Sequence, residues 1–153
     1  MIGRPHFAAI LVNKGVVATI KDAFDQYLAA GRPGYRPRIR VDAAEAIEIA
    51  KESGAVPVVA HPHTLADASD GFSHLFPQFV ELGALGVECY CADYPQVQRD
   101  SMAATVEGLG LVATGGSDYH GTYKPGVSLG SGKGDLAVPE SCLERLAEMR
   151  PNR

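Results

Sequence analysis

The chain contains no tryptophan, only three cysteines, and no run near the ~18 to 20 apolar residues that cross a bilayer. Cys89, Cys91 and Cys142 are odd in number and lack the CxxC spacing of a metal site, so reduced thiols in a cytoplasmic protein are expected. Cys89 and Cys91 alternate in a strand-like run, so one is expected to face the core and the other not. The opening Met1-Ile2-Gly3-Arg4-Pro5-His6 has no apolar stretch of the signal-peptide kind. Positive charge is not in excess: the formal net charge is −4 and the isoelectric point is near 5.7. No global field therefore draws nucleic acid or an anionic membrane, and no membrane partner is expected. A phosphorylated substrate stays open, because bound cations would dominate the charge of its site. Also missing are a GxSxG elbow, a GxxxxGK[ST] loop and a dinucleotide fingerprint. The glycine-rich stretch 126–134 joins no clear strand to a clear helix and reads as a surface loop.

What is present suffices for a core. At 153 residues, with 46% hydrophobic and 21% charged residues, the chain has the length of one globular domain. Residues 1–40 read as a small helical segment. Pro5 suits a first helical turn, and Phe7, Ile10 and Leu11 form an apolar stripe that stops at Gly15. Thr19 and Asp22 make a capping box before a second helix, whose inner face is Ile20, Ala23, Phe24, Tyr27 and Leu28. A basic, proline-punctuated stretch follows from Arg32.

From Val41 onward the pattern alternates, giving an α/β fold with parallel strands and outer helices over 41–153. Asp42 with Glu45 opens a helix whose inner face is Ala46, Ile47, Ile49 and Ala50. Residues 56–60 read as a strand buried on both faces. A helix over 75–82, a strand over 86–90, a helix from Pro95 to about Gly108, a strand over 111–114 and a last helix over 139–149 complete the pattern.

In parallel βα folds the loops leaving the carboxyl ends of strands build the site. His61 follows the first strand, Asp93 the second, and Asp118 and His120 the third. An imidazole, a carboxylate and a second imidazole suit Zn, Mn or Fe. Each also has a plainer reading as a turn or capping residue, and His63 and His74 read as exposed loop residues. Glu88 can orient a metal-bound histidine or simply face solvent. The arginines from Arg32 onward can fork onto phosphate or form a solvated face. Arg4 and His6 lie at a helix N-terminus, where an anion or a structural cap would fit equally.

Four ordered motifs carry a resemblance: Gly3-Arg4-Pro5-His6-Phe7-Ala8, Ala23-Phe24 through Gly34-Tyr35-Arg36-Pro37, Ala60-His61-Pro62-His63, and Gly116-Ser117-Asp118-Tyr119-His120-Gly121. Together they resemble the C-terminal half of the PHP-domain (polymerase and histidinol phosphatase) metal-dependent phosphoesterases. The nearest branch acts on nucleoside 3′,5′-bisphosphates and short RNA 5′ ends. The resemblance implies a partial, PHP-type (β/α) barrel preceded by a helical insertion. It implies divalent metals at the carboxyl strand ends and metal-activated water attacking a phosphate monoester. His61, Asp118 and His120 match metal ligands of the family. Arg4, His6, Tyr35 and Arg38 match an insertion over the cleft and are assigned to phosphate or nucleotide contact. The family's N-terminal HxH half has no counterpart here. The chain is thus expected to be a phosphoric monoester hydrolase only when completed by that half. The alternative is a non-catalytic phosphate-, nucleotide- or protein-binding module of the same descent. A half barrel leaves strand edges unpaired, so a homo-oligomer or a complex with the missing half is expected.

Overall fold

A computed structural model describes residues 3–37, 41–65 and 72–150. The chain divides into two compact units, Met1–Arg40 and Val41–Arg153. In the first, α1 (Arg4–Asn13) is followed by α2 (Ile20–Ala23), which continues as a π-helical turn over Phe24–Leu28. The capping box expected at Thr19 is present. Its hydroxyl oxygen accepts the Asp22 N–H at 3.0 Å, and Asp22 Oδ2 accepts the Thr19 N–H at 3.0 Å. Ala8, Val17, Ala23 and Leu28 form the small core of this unit, with Leu11, Val12, Ile20, Phe24 and Tyr27 packed around it. The buried seam of α1 therefore runs through Ala8, Leu11 and Val12 at helical spacing. The expected stripe is one position off, which leaves Phe7 and Ile10 about half exposed.

The second unit is a three-stranded parallel sheet in the order β1-β2-β3, with strands Val58–Val59, Gly86–Cys91 and Val112–Gly116. Helix α3 (Ala43–Glu52) precedes β1, and α4 (Phe76–Glu81) and α5 (Gln96–Gly108) follow β1 and β2. Helix α6 (Ser141–Glu148) packs against β3. Asp42 caps α3 by accepting the Ala44 N–H at 2.9 Å. No α3 residue is buried: Ile47 touches the core, whereas Ile49 is half exposed, so the inner face is narrower than its pattern suggested.

The core lies between sheet and helices, built from Phe76, Phe79, Val87, Met102, Val106 and Leu111 among others. Two sequence expectations fail here. β1 is two half-buried residues, because it is the margin of the described sheet with one neighbour to cover it. Cys89 and Cys91 are both buried, since residues two apart on a strand share a face. Burial pushes the Cys89 thiol up to about 12, which makes it inert as a nucleophile at neutral pH.

β2 and β3 lose regular register between Glu88 and Tyr90, which leaves Cys89 as an extra residue on β2. Opposite Tyr90, Gly115 lets the strands close: a Cβ there would lie 2.3 Å from both the Cβ and the carbonyl oxygen of Tyr90.

A buried arginine closes the end of β2. Arg99 Nε donates to the Cys91 carbonyl at 2.9 Å, and Nη1 donates to the Asp135 carbonyl at 3.1 Å. Its Nη2 is 3.1 Å from an Asp135 carboxylate oxygen. The stretch 126–134 is thus more than a surface loop. Val127 and Gly132 are buried, and the Gly130 N–H donates to Ser117 Oγ at 3.3 Å.

Among the described residues no helix is long and apolar enough to cross a membrane.

Candidate functional site

Two bends carry the chemistry. Among the described residues only His61, at φ 50°, and Asp118, at φ 53°, are non-glycine residues in left-handed backbone. Each follows the carboxyl end of a strand, β1 and β3. Such a conformation costs on the order of 1 kcal/mol for a residue with a side chain, and it gathers at functional sites. Histidine and aspartate are among the types that tolerate it best.

The bends bring their side chains together. His61 Nε2 is 3.9 Å from Asp118 Oδ1, and His120 Nδ1 is 3.4 Å from the same oxygen and 2.8 Å from the Asp118 carbonyl. Asp118 Oδ1 therefore has two imidazoles within 4 Å. Behind His61 stands Glu88, only 12% exposed, with Oε2 accepting the His61 backbone N–H at 2.7 Å and lying 3.2 Å from Nδ1. A carboxylate at that distance favours the tautomer protonated at Nδ1, which leaves the Nε2 lone pair turned toward Asp118. Of the two readings left open for Glu88, the structure has the orienting geometry.

The other oxygen of Asp118 meets a cation. Lys124 Nζ lies 2.8 Å from Asp118 Oδ2 and 3.3 Å from Asp93 Oδ2, and Lys133 Nζ is 2.7 Å from Asp93 Oδ1. Neither lysine was singled out by sequence reasoning, and Asp93 only by its place after β2. The hydrogen bond to Asp118 raises the Lys124 ammonium above its ordinary range, with that to Asp93 adding to it. His63 is half buried rather than exposed. Its Nδ1 meets the hydroxyl of buried Tyr94, and its ring packs edge-on to His61 with centroids 5.9 Å apart. His74 is exposed, as expected.

The expected substrate contacts belong to the first unit. Arg4 sits over the rings of Phe24 and Tyr35, at 5.8 and 5.9 Å, and Nη1 is 3.4 Å from the Leu28 carbonyl. His6 Nδ1 accepts the Gly3 N–H at 3.0 Å, so the helix-cap alternative is realised in the structure. Arg38 lies outside the described residues.

The donor types at 61, 118 and 120 fit a borderline divalent cation. Their number is short: among the described residues no three His, Cys, Asp or Glu side chains stand ready to hold one ion. A hollow elsewhere, of about 450 Å³, lies between the residues leading into β1 and helix α6. Its lining includes Ala55, Val56, Leu143 and Leu146 and contains no acid or imidazole.

Acid should weaken this network. Hydrogen bonding from Lys133 first, then from Lys124, holds the Asp93 carboxyl below its ordinary value of 3.8, and Arg99 does the same for Asp135. A depressed carboxyl contributes stability above its unfolded value and loses that contribution as pH falls through the folded value. The urea midpoint is therefore expected to drop below about pH 4, and to drop less steeply in Asp93→Asn. Parallel curves for the two proteins would contradict this.

No protein-family model matches the chain. It is 29% identical over 130 residues to the 3′,5′-nucleoside bisphosphate phosphatase of Chromobacterium violaceum, covering 85% of this chain and 46% of that one. It is 32% identical over 120 residues to the 5′-3′ exoribonuclease Rnm of Escherichia coli, covering 78% and 41% respectively. Among solved structures, a Bifidobacterium adolescentis protein assigned as a metal-dependent phosphoesterase superposes with a TM-score of 0.75 at 29% identity. That superposition takes in 99% of this chain and 51% of the other. An amidohydrolase from C. violaceum, solved with bound sulfate, gives 0.72 at 28% identity over 99% and 53%. The chain spans about half the length of the relatives it matches.

Proposed function

From a chain that is a relative of the PHP-type metal-dependent phosphoesterases and matches about half of their length, we infer one half of a hydrolytic centre for phosphate monoesters of nucleotides or RNA ends. The observation that carries this reading is the pair of strained bends. His61 and Asp118 hold left-handed backbone at the ends of two parallel strands and turn an imidazole and a carboxylate into one place.

In this reading His61 Nε2, Asp118 and His120 each lend a ligand to divalent Mn, Zn or Fe ions, and residues outside this sequence, in the same protein or another chain, supply the remaining ligands. A bound divalent ion supplies an activated water and offsets charge on the phosphate. The chain's own groups prepare that place. Glu88 fixes the ring and tautomer of His61 through two contacts to one oxygen. His120, tied through Nδ1 to the Asp118 carbonyl, has its ring set by the same turn. Arg4 and Tyr35 keep the role of phosphate or nucleotide contact, a guanidinium beside an aromatic ring being suited to an anion next to a base. Arg38 shares it, whereas His6 serves as the cap of α1.

The test is complementation. Hydrolysis of p-nitrophenyl phosphate and of a nucleoside 3′,5′-bisphosphate is measured with Mn²⁺, with this chain alone and with it joined to the N-terminal half of the C. violaceum relative. Turnover is expected from the joined protein and to be lost in Asp118→Ala and His120→Ala. Glu88→Gln, which keeps the shape but weakens the hold on His61, should reduce it by about 10- to 100-fold. Turnover that survives both ligand substitutions would overturn the site. A second reading, a binding module without turnover, is favoured by the absence of a three-ligand group among the described residues. It predicts phosphate or nucleotide binding by the lone chain and no gain on complementation.

A further inference from the structure

One oxygen of the Asp118 carboxylate, the one turned from His61 and His120, is already held by a positive charge. Lys124 Nζ is 2.8 Å from Asp118 Oδ2, at the length of a charge-assisted hydrogen bond. The same ammonium is 3.3 Å from Asp93 Oδ2. It is 30% exposed, against 54% for Lys133, so it is the more enclosed of the two cations. Asp93 is in turn anchored by Lys133 at 2.7 Å.

We propose that Lys124 is the internal counter-cation of Asp118, and that a divalent ion binds only by displacing its ammonium onto Asp93. This rests on the metal-centre reading above and goes beyond it, because it assigns the chain a built-in competitor for its own ligand. An ammonium and a divalent ion cannot share one carboxylate at close range without mutual repulsion, so whichever occupies Asp118 disfavours the other. The exchange needs no large movement, since the second carboxylate is already within reach of the same nitrogen. Lys133 keeps Asp93 in place throughout. Without the lysine, Asp118 and nearby Glu88 would leave uncompensated negative charge beside two imidazoles. With it, the turn bearing Asp118 is tied down when no ion is bound. Lys124 is thus a positioning residue that sets the threshold for metal.

The prediction is read by binding of Mn²⁺ alone, using isothermal titration of the full 153-residue chain. The wild type is expected to bind weakly. Lys124→Met is expected to bind roughly tenfold more tightly, the Coulomb gain being discounted for a partly solvated site. Lys124→Arg, which restores the charge, should return affinity toward wild type, an outcome that a purely structural role for the lysine would not give. In an Asp118→Ala background the methionine substitution should change nothing, since the shared partner is gone. Circular dichroism checks folding, and Lys124→Gln serves if the methionine variant does not fold. Equal or weaker binding in Lys124→Met, with Asp118→Ala still abolishing it, would overturn the counter-cation proposal and leave the metal reading standing. No Mn²⁺ binding by any variant, either alone or joined to the N-terminal half of the C. violaceum relative, would remove both.

Discussion

Replacing Gly115 by alanine is expected to destabilise the second unit by about 3 kcal/mol, the upper end of what inserted carbon does to a packed interior. The added Cβ would lie 2.3 Å from Tyr90 Cβ and from the Tyr90 carbonyl oxygen. One of these is backbone and cannot rotate away, so relief requires β2 and β3 to part where they pair, Tyr90 against Gly115. Gly116 supplies the control. It is the next residue along β3, and a Cβ there meets nothing within 4 Å. Gly116→Ala should stay within about 0.5 kcal/mol of wild type. Urea melts of the two variants decide the matter, and similar midpoints would contradict the packing argument. Because β3 leads directly to Asp118, Gly115→Ala should also weaken Mn²⁺ binding more than its stability loss predicts.

The second large effect belongs to Arg99. Its guanidinium joins the end of β2 to Asp135 through the Cys91 carbonyl, the Asp135 carbonyl and the Asp135 carboxylate. Arg99→Met keeps most of the packing volume and removes all three links. The Cys91 carbonyl keeps the Tyr94 N–H at 3.2 Å but loses its shorter, charged donor at a buried residue, and the expected loss is about 2 kcal/mol, that of a hydrogen bond from a charged group. The carboxylate adds little to that figure, since it is exposed and water can take the arginine's place. A sharper signature is local. Amide exchange at Ser128 and Gly132, paired at 2.7 and 3.0 Å inside the loop, should quicken more than exchange in α5. Uniform quickening would mean that Arg99 stabilises the whole unit and does not anchor this loop in particular.

How much of this was legible in the residues follows from how local each signal is. Thr19 and Asp22 satisfy each other across three positions, so their capping box could be read directly. The order of strands and helices in the second unit was also readable, because each element carries its own periodicity and punctuation. Burial was read less well. The strand at 58–59 looked like a core strand from its apolar residues, yet burial depends on what lies beside a strand. The placement of His61, Asp118 and His120 at strand ends could be argued from topology, and the structure brings them around one carboxylate oxygen. Lys124 and Lys133 were missed for a physical reason. They reach Asp93 from 31 and 40 positions away along a glycine-rich loop whose path is set by Arg99, itself 36 positions from Asp135. No periodicity encodes such a meeting.

His61 and Asp118 also constrain what engineering of this chain can achieve. Glycine at either bend would relax the backbone and delete the donor in the same stroke, so a search for heat resistance alone would be drawn to erase the site. Thermostable variants selected without a metal-binding screen should accumulate changes at these two positions ahead of others on the surface. Robustness and chemistry pull in opposite directions at the same two residues.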